Sequence, residues 1–302
     1  MTVGNEWYSG VPAEEDLSDS EKRELRVFEI LCRHFAYLER VVVGEVSFEV
    51  PNYAASGLPV LEGTMEDQGT ELARRERERL VPEDGPVVDV RDMLDNMGIK
   101  VMAMPMPEGS DVDGGFLFRS DIGPCIMLNS SLSARERAME MAHQYCHFLA
   151  DFDPYLPRVC LGGTPPGVDL CEDRARSFAL EFFVPEESLL SLMSGRDLGD
   201  VGEPEFDALA IYFGVPPRAI AEQLGRLGLG SSEMPGGPDV RERVSSDEGS
   251  VRLPERFVRL AVEARSRGLI SDVRMGRLLQ TSAEVAQELA AYFSAGEASD
   301  GE

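Results

Sequence analysis

The chain has 302 residues, 43% of them hydrophobic and 28% charged, which is enough for one large domain and a smaller companion. Its 55 acidic residues outnumber 29 basic ones, and a net charge of −26 excludes the whole surface as a binding face for nucleic acid or anionic lipid. No apolar run reaches the ~18 residues of a membrane span, and five cysteines without a CxxC pair imply a reduced, cytoplasmic setting instead of a disulfide framework.

Residues 1–20 are acidic, lack the basic-then-apolar pattern of a secretory signal, and read as a disordered leader. From Glu21 to Val43 the apolar positions Leu25, Phe28, Ile30, Leu31, Phe35 and Leu38 recur at helical spacing. His34 falls within this helix, remote from the other two histidines, and reads as a partly buried side chain. Residues 44–64 carry Gly, Pro and Asn breaks and read as a connecting segment. A second helix, Glu66 to Leu80, is dominated by Arg and Glu, whose charges read as a solvated face. The two helices define an N-terminal helical region over 21–80.

The main domain is expected over 81–230. A short helix, Val87 to Met97, stops at Gly98, and Ile99 to Met104 reads as a strand. Asp113-Gly114-Gly115 reads as a turn into a strand, Phe116 to Arg119, and Ile122-Gly123-Pro124 as a turn into another, Cys125 to Leu128. Ser133 is placed to cap a helix from Ala134 to Asp151, with Glu136 as its capping-box partner. A small antiparallel sheet thus leads into a helix, the pattern of an α+β fold, and a sheet edge there could take an extended substrate. After the glycine-proline run 162–167 come helices Val168 to Phe183 and Glu186 to Ser194. Glu205 to Leu227 reads as a helix, a turn at Gly214 and a helix; with Glu203 just before it, four acids against two arginines favour packing over DNA contact.

Residues 231–251 have the composition of a linker, and 252–302 read as a three-helix module: Pro254 to Arg267, Ser271 to Gln280 and Ser282 to Phe293. Within 252–280 seven arginines face three acids. That reads as a cap pairing with the acidic body, with docking of a partner or nucleic acid as the second reading.

The chemistry-bearing signal lies in Ala142-His143-Gln144-Tyr145-Cys146-His147-Phe148. His143 and His147, four apart on a helix, project from one face and could grip one zinc ion. A hydrolytic zinc site takes three protein ligands and leaves the fourth position to water. With His34 remote, the third must be a carboxylate or thiolate, and Asp169, Cys171, Glu172 and Asp173 all lie within reach on the following helix.

Glu172-Asp173-Arg174-Ala175-Arg176-Ser177-Phe178-Ala179, running on to Pro185, resembles the second signature of the ImmA/IrrE family of zincin-like metallo-endopeptidases. That family follows a His-Glu-x-x-His helix with a helix that begins Glu-x-x-Ala and closes with Pro. The resemblance covers roughly residues 80–230 well and the tail weakly. It implies Zn2+ held by His143, His147 and Glu172, with a thiolate from Cys171 or Cys160 as the alternative. It also implies a helix-turn-helix repressor as substrate, cut to switch on stress-response or mobile-element genes. Two departures stand out. Ala175-Arg176 replaces the family's Ala-Asn, and Gln144 occupies the place of the general base.

A glutamate at that place takes the proton of the attacking water and passes it to the leaving amine. A glutamine amide has nearly the same shape and no usable basicity. The loss of acid–base catalysis is worth about 10²–10⁴-fold, while metal binding should survive. Gln144 is then either natural, in a pseudo-peptidase regulator that binds a repressor without cleaving it, or a deliberate change that traps a working protease. Cys146, Met141 and Tyr145 around it favour the first. Glu140 or Asp173 is the remaining candidate for a substitute base, Glu140 pointing poorly for it.

Overall fold

A computed structural model describes residues 8–9, 17–51, 53, 63–81, 85–151, 158–161, 167, 169–194, 203–229 and 253–299. The leader read at 1–20 lies outside these residues except at 8–9 and 17–20, and the linker at 231–251 lies outside them entirely.

Among the described residues five strands form one sheet: β1 (Tyr8–Ser9), β2 (Lys100–Met104), β3 (Val112–Arg119), β4 (Gly123–Asn129) and β5 (Arg158–Leu161), in the order β1-β5-β3-β4-β2. β3 and β4 are the expected antiparallel hairpin, and β5 joins β3 antiparallel on its other side. β2 lies parallel to β4, and β1 parallel to β5, so the small sheet is mixed. Asp113-Gly114-Gly115 is not the expected turn; it lies inside β3. Clearance explains the glycine, because a Cβ on Gly114 would sit 2.4 Å from Glu140 Oε1.

Eleven helices are found among the described residues. Those that lie nearest the site are α2 (Met65–Leu80), α3 (Val90–Asn96), α4 (Ala134–Ala150), α5 (Leu170–Phe183) and α6 (Glu186–Met193). With α7 (Glu203–Phe213) and α8 (Pro217–Arg226) they surround one core on one face of the sheet. The opposite face is covered by α1 (Asp19–Val42), α9 (Glu255–Ser266), α10 (Asp272–Leu278) and α11 (Ala283–Ser299). Side-chain alternation makes this sandwich possible: Val101, Phe116, Ile126 and Leu128 point to the first core, Met102, Leu117, Cys125 and Met127 to the second. Buried on both faces, the strands read as nearly continuous apolar runs.

The N-terminal helical region is therefore divided between the layers, α1 with the C-terminal helices and α2 with the main domain. Ser18 and Glu21 start α1, and Thr64 and Asp67 start α2, each pair as a reciprocal capping box. Phe35 of α1 stacks on Phe257 of α9, with ring centroids 4.9 Å apart. Beside them the buried Glu39 meets Lys100 Nζ of β2 at 3.0 Å and Arg256 Nη1 of α9 at 2.8 Å. His34 contacts the Leu278 carbonyl through Nδ1 at 3.1 Å, away from the other histidines.

The charges of α2 are not a simply solvated face. Glu76 is fully buried, accepting from the Tyr53 and Tyr145 hydroxyls at 2.6 Å each, and Arg77 Nη1 donates to the Phe182 carbonyl at 2.7 Å. Tyr145 receives Arg79 Nη2 at 2.8 Å, which locks the rotation of α4. The reason lies in how close α2 comes to α5: a Cβ on Gly69 would lie 2.2 Å from the Arg174 carbonyl. Gly69→Val is expected to destabilise the fold by about 1–3 kcal/mol in thermal or denaturant unfolding. An unchanged midpoint would show that this crossing yields easily.

Candidate metal centre

α4 starts as the sequence implies, with Ser133 Oγ accepting the Glu136 N–H. The Glu136 carboxylate does not complete a capping box; it is taken by Arg218 of α8, whose Nε donates at 3.0 Å. α4 then crosses β3 and β4 and carries His143 and His147 one turn apart. Their Nε2 atoms are 3.0 Å apart.

Glu172, in the first turn of α5, reaches between them. Its Oε2 lies 3.0 Å from His143 Nε2 and its Oε1 3.2 Å from His147 Nε2. Cys160 of β5 brings Sγ to 3.3 Å from Glu172 Oε1. The four ligand atoms all fall within 4.8 Å of one another. Donors around a tetrahedral zinc sit roughly 3.3–3.6 Å apart, given its usual bond lengths. The closest separations here come within a few tenths of an ångström of that.

The groups of the cluster are strongly coupled electrostatically. Burial acts to raise Glu172, yet His147 and His143 overcome it and hold the carboxyl far below its usual range. Burial acts to lower His143, yet Glu172, Cys160 and Glu140 reverse this and lift it to about 9. Burial and Glu172 act to raise Cys160, but the two imidazoles outweigh them and leave the thiol below its ordinary value. The cluster thus favours an ionised carboxylate and a readily ionised thiol, donors a divalent metal takes, while the proton on His143 must leave before its nitrogen can serve as one.

His147 is oriented from behind. Its Nδ1 lies 2.8 Å from Asp151 Oδ2, which assigns the proton to Nδ1 and turns the Nε2 lone pair toward the cluster. Arg174 holds Asp151 in turn. Phe116 stacks on the His147 ring, with centroids 6.1 Å apart. Asp151→Ala is expected to weaken metal retention about 10–100-fold in a chelator competition. Unaltered retention would remove the orienting role.

Gln144 is fully buried and takes no part in the cluster's contacts. Its Nε2 donates to Glu140 Oε1 at 2.7 Å, and its Oε1 is a buried acceptor without a hydrogen-bond partner among the described residues. Glu140 is thereby engaged by the amide, which argues against it as a free base.

The other candidate ligands are used elsewhere. Asp169 caps α5, accepting the Cys171 N–H at 2.9 Å; Asp173 accepts the Gly167 N–H at 2.8 Å and pairs with Arg176. Cys171 is half-exposed beside Arg174, and burial pushes the Cys146 thiol up to about 12. Sequence reasoning considered Cys160 only in place of Glu172; the structure brings both together. It missed Asp151 and Arg174. The spacing His147-x-x-x-Asp151 on one helix was the available signal for the first.

A helix bearing two histidines, laid on a small sheet and met by a glutamate from the next helix, defines a metallopeptidase-like domain. Residues 94–224 match the family model described as the IrrE N-terminal-like domain, Peptidase_M78, which supports the resemblance to the ImmA/IrrE metallopeptidases. No curated protein matches the chain. Among the described residues no helix is long and apolar enough to cross a membrane.

Proposed function

We propose that this chain is a zinc-binding protein of ImmA/IrrE type that recognises a helix-turn-helix repressor in the cytoplasm and cuts it poorly or not at all. The observation that carries the reading is the convergence of His143, His147 and Glu172 beside a glutamine in the base position. Two imidazoles and one carboxylate are a known hydrolytic zinc set. A zinc held there would polarise a carbonyl and acidify water.

What the chain's own residues do is then largely positional. His143, His147 and Glu172 hold the metal, Asp151 and Arg174 orient His147, and Phe116 backs the ring. Gln144 can bond a water through its vacant Oε1, but it cannot receive a proton from it. Its amide also suits Glu140, since a glutamate at 144 would set two buried carboxylates against each other. That fit favours a natural pseudo-peptidase over a trapped protease. The repressor as partner is supported by family kinship, and the cytoplasm by five cysteines that are all unpaired. The arginines of the C-terminal helices support its role as a cap, because Arg256 is engaged by Glu39 and Asp95.

The test is a search of the neighbouring genes for a small helix-turn-helix repressor, followed by incubation of that repressor with the zinc-loaded chain. A stable complex with uncut repressor is expected. Rapid single-site cleavage would remove the pseudo-peptidase reading, and absence of both complex and cleavage would remove the repressor as partner.

A further inference from the structure

We infer that Cys160 is a fourth protein ligand, so that the metal site is closed by a thiolate where a hydrolytic site would keep its position for water. This rests on the zinc-binding reading above and goes beyond it, because three ligands suffice for that reading.

Three observations place the thiol inside the cluster. Cys160 is buried, and its Sγ approaches the inner oxygen of Glu172 to 3.3 Å. It also lies within 4.8 Å of the ligand nitrogens of both His143 and His147. Its strand is anchored by antiparallel pairing with β3, where Cys160 stands opposite Gly114, the residue packed under Glu140 and Gln144. The thiol is therefore held by the sheet, not by a loop that could swing it aside.

The physical consequence follows from donor count. Structural zinc sites have four protein ligands, catalytic ones three and an open position. Two histidines, a glutamate and a cysteine complete a tetrahedron, and zinc favours thiolate as a ligand. Neither of the other two cysteines near the centre competes: Cys146 and Cys171 both stand outside the cluster. Gln144 and Cys160 then point the same way. One removes the base, and the other removes the place for water.

The experiment uses cobalt as the probe. The full chain is stripped with a chelator, reloaded with one equivalent of Co(II), and read by absorption. A near-ultraviolet thiolate-to-cobalt band with the visible bands of a four-coordinate ion is expected. Cys160→Ser should lose the thiolate band yet still bind one cobalt, and its zinc affinity should fall at least about tenfold. Cys146→Ser and Cys171→Ser should keep the band. Cobalt bound without a thiolate band, or a band lost in Cys171→Ser instead, would overturn the fourth ligand and leave the three-ligand zinc site standing. Neither cobalt nor zinc bound by the unaltered chain would overturn both.

Discussion

Replacing His143 or Glu172 by alanine is expected to strip the chain of its metal and lower its melting temperature by on the order of 10 °C. Each residue contributes a donor to a buried cluster in which the remaining donors cannot turn to solvent. A ligand present at a thousandfold excess over its dissociation constant stabilises the folded state by about 4 kcal/mol, and that contribution vanishes with the site. For a domain of this size, about 1 kcal/mol corresponds to a few degrees. Elemental analysis should find close to one zinc in the unaltered chain and almost none in His143→Ala or Glu172→Ala. Full zinc in both variants would show that these histidines and this glutamate are ordinary packing residues. The fold should survive the loss, because both cores are extensive and α2 and α5 are held together by contacts away from the cluster, Gly69 against the Arg174 carbonyl and Arg77 on the Phe182 carbonyl.

Restoring the base alone is expected to leave the repressor intact. Gln144→Glu supplies the missing proton acceptor, worth about 10²–10⁴-fold where a water is positioned beside it. The Cys160 thiolate still fills the position that water needs. Gln144→Glu combined with Cys160→Ser should therefore cut by about that factor more than either single change, as read from timed digests on gels. Cutting by Gln144→Glu as fast as by the double variant would show that the thiol does not block the site. Silence in the double variant, with zinc retained, would place the defect in substrate positioning.

Much of this architecture was legible because it is local. Helix starts at Ser133 and the apolar stripe of α1 depend on residues within one or two turns of each other. The pairing of His143 with His147 needed only the helical repeat. Glu172 was reached through a family signature, since nothing in its own segment separates it from Asp169 or Asp173.

What escaped the sequence depends on chain segments that meet from far away. Gly114 looked like a turn residue, yet its value is the room it leaves for Glu140. Glu136 read as a capping-box partner and Glu76 as part of a solvated face, yet Arg218 and two tyrosine hydroxyls drew them into the interior. The sequence by itself determined which residues could share a helix face, because backbone geometry repeats every few residues. Only the tertiary structure decided that β5 would carry Cys160 to Glu172, and that β2 would lie parallel to β4. Strand pairing is set by packing across the whole core, where one apolar run is chemically much like another.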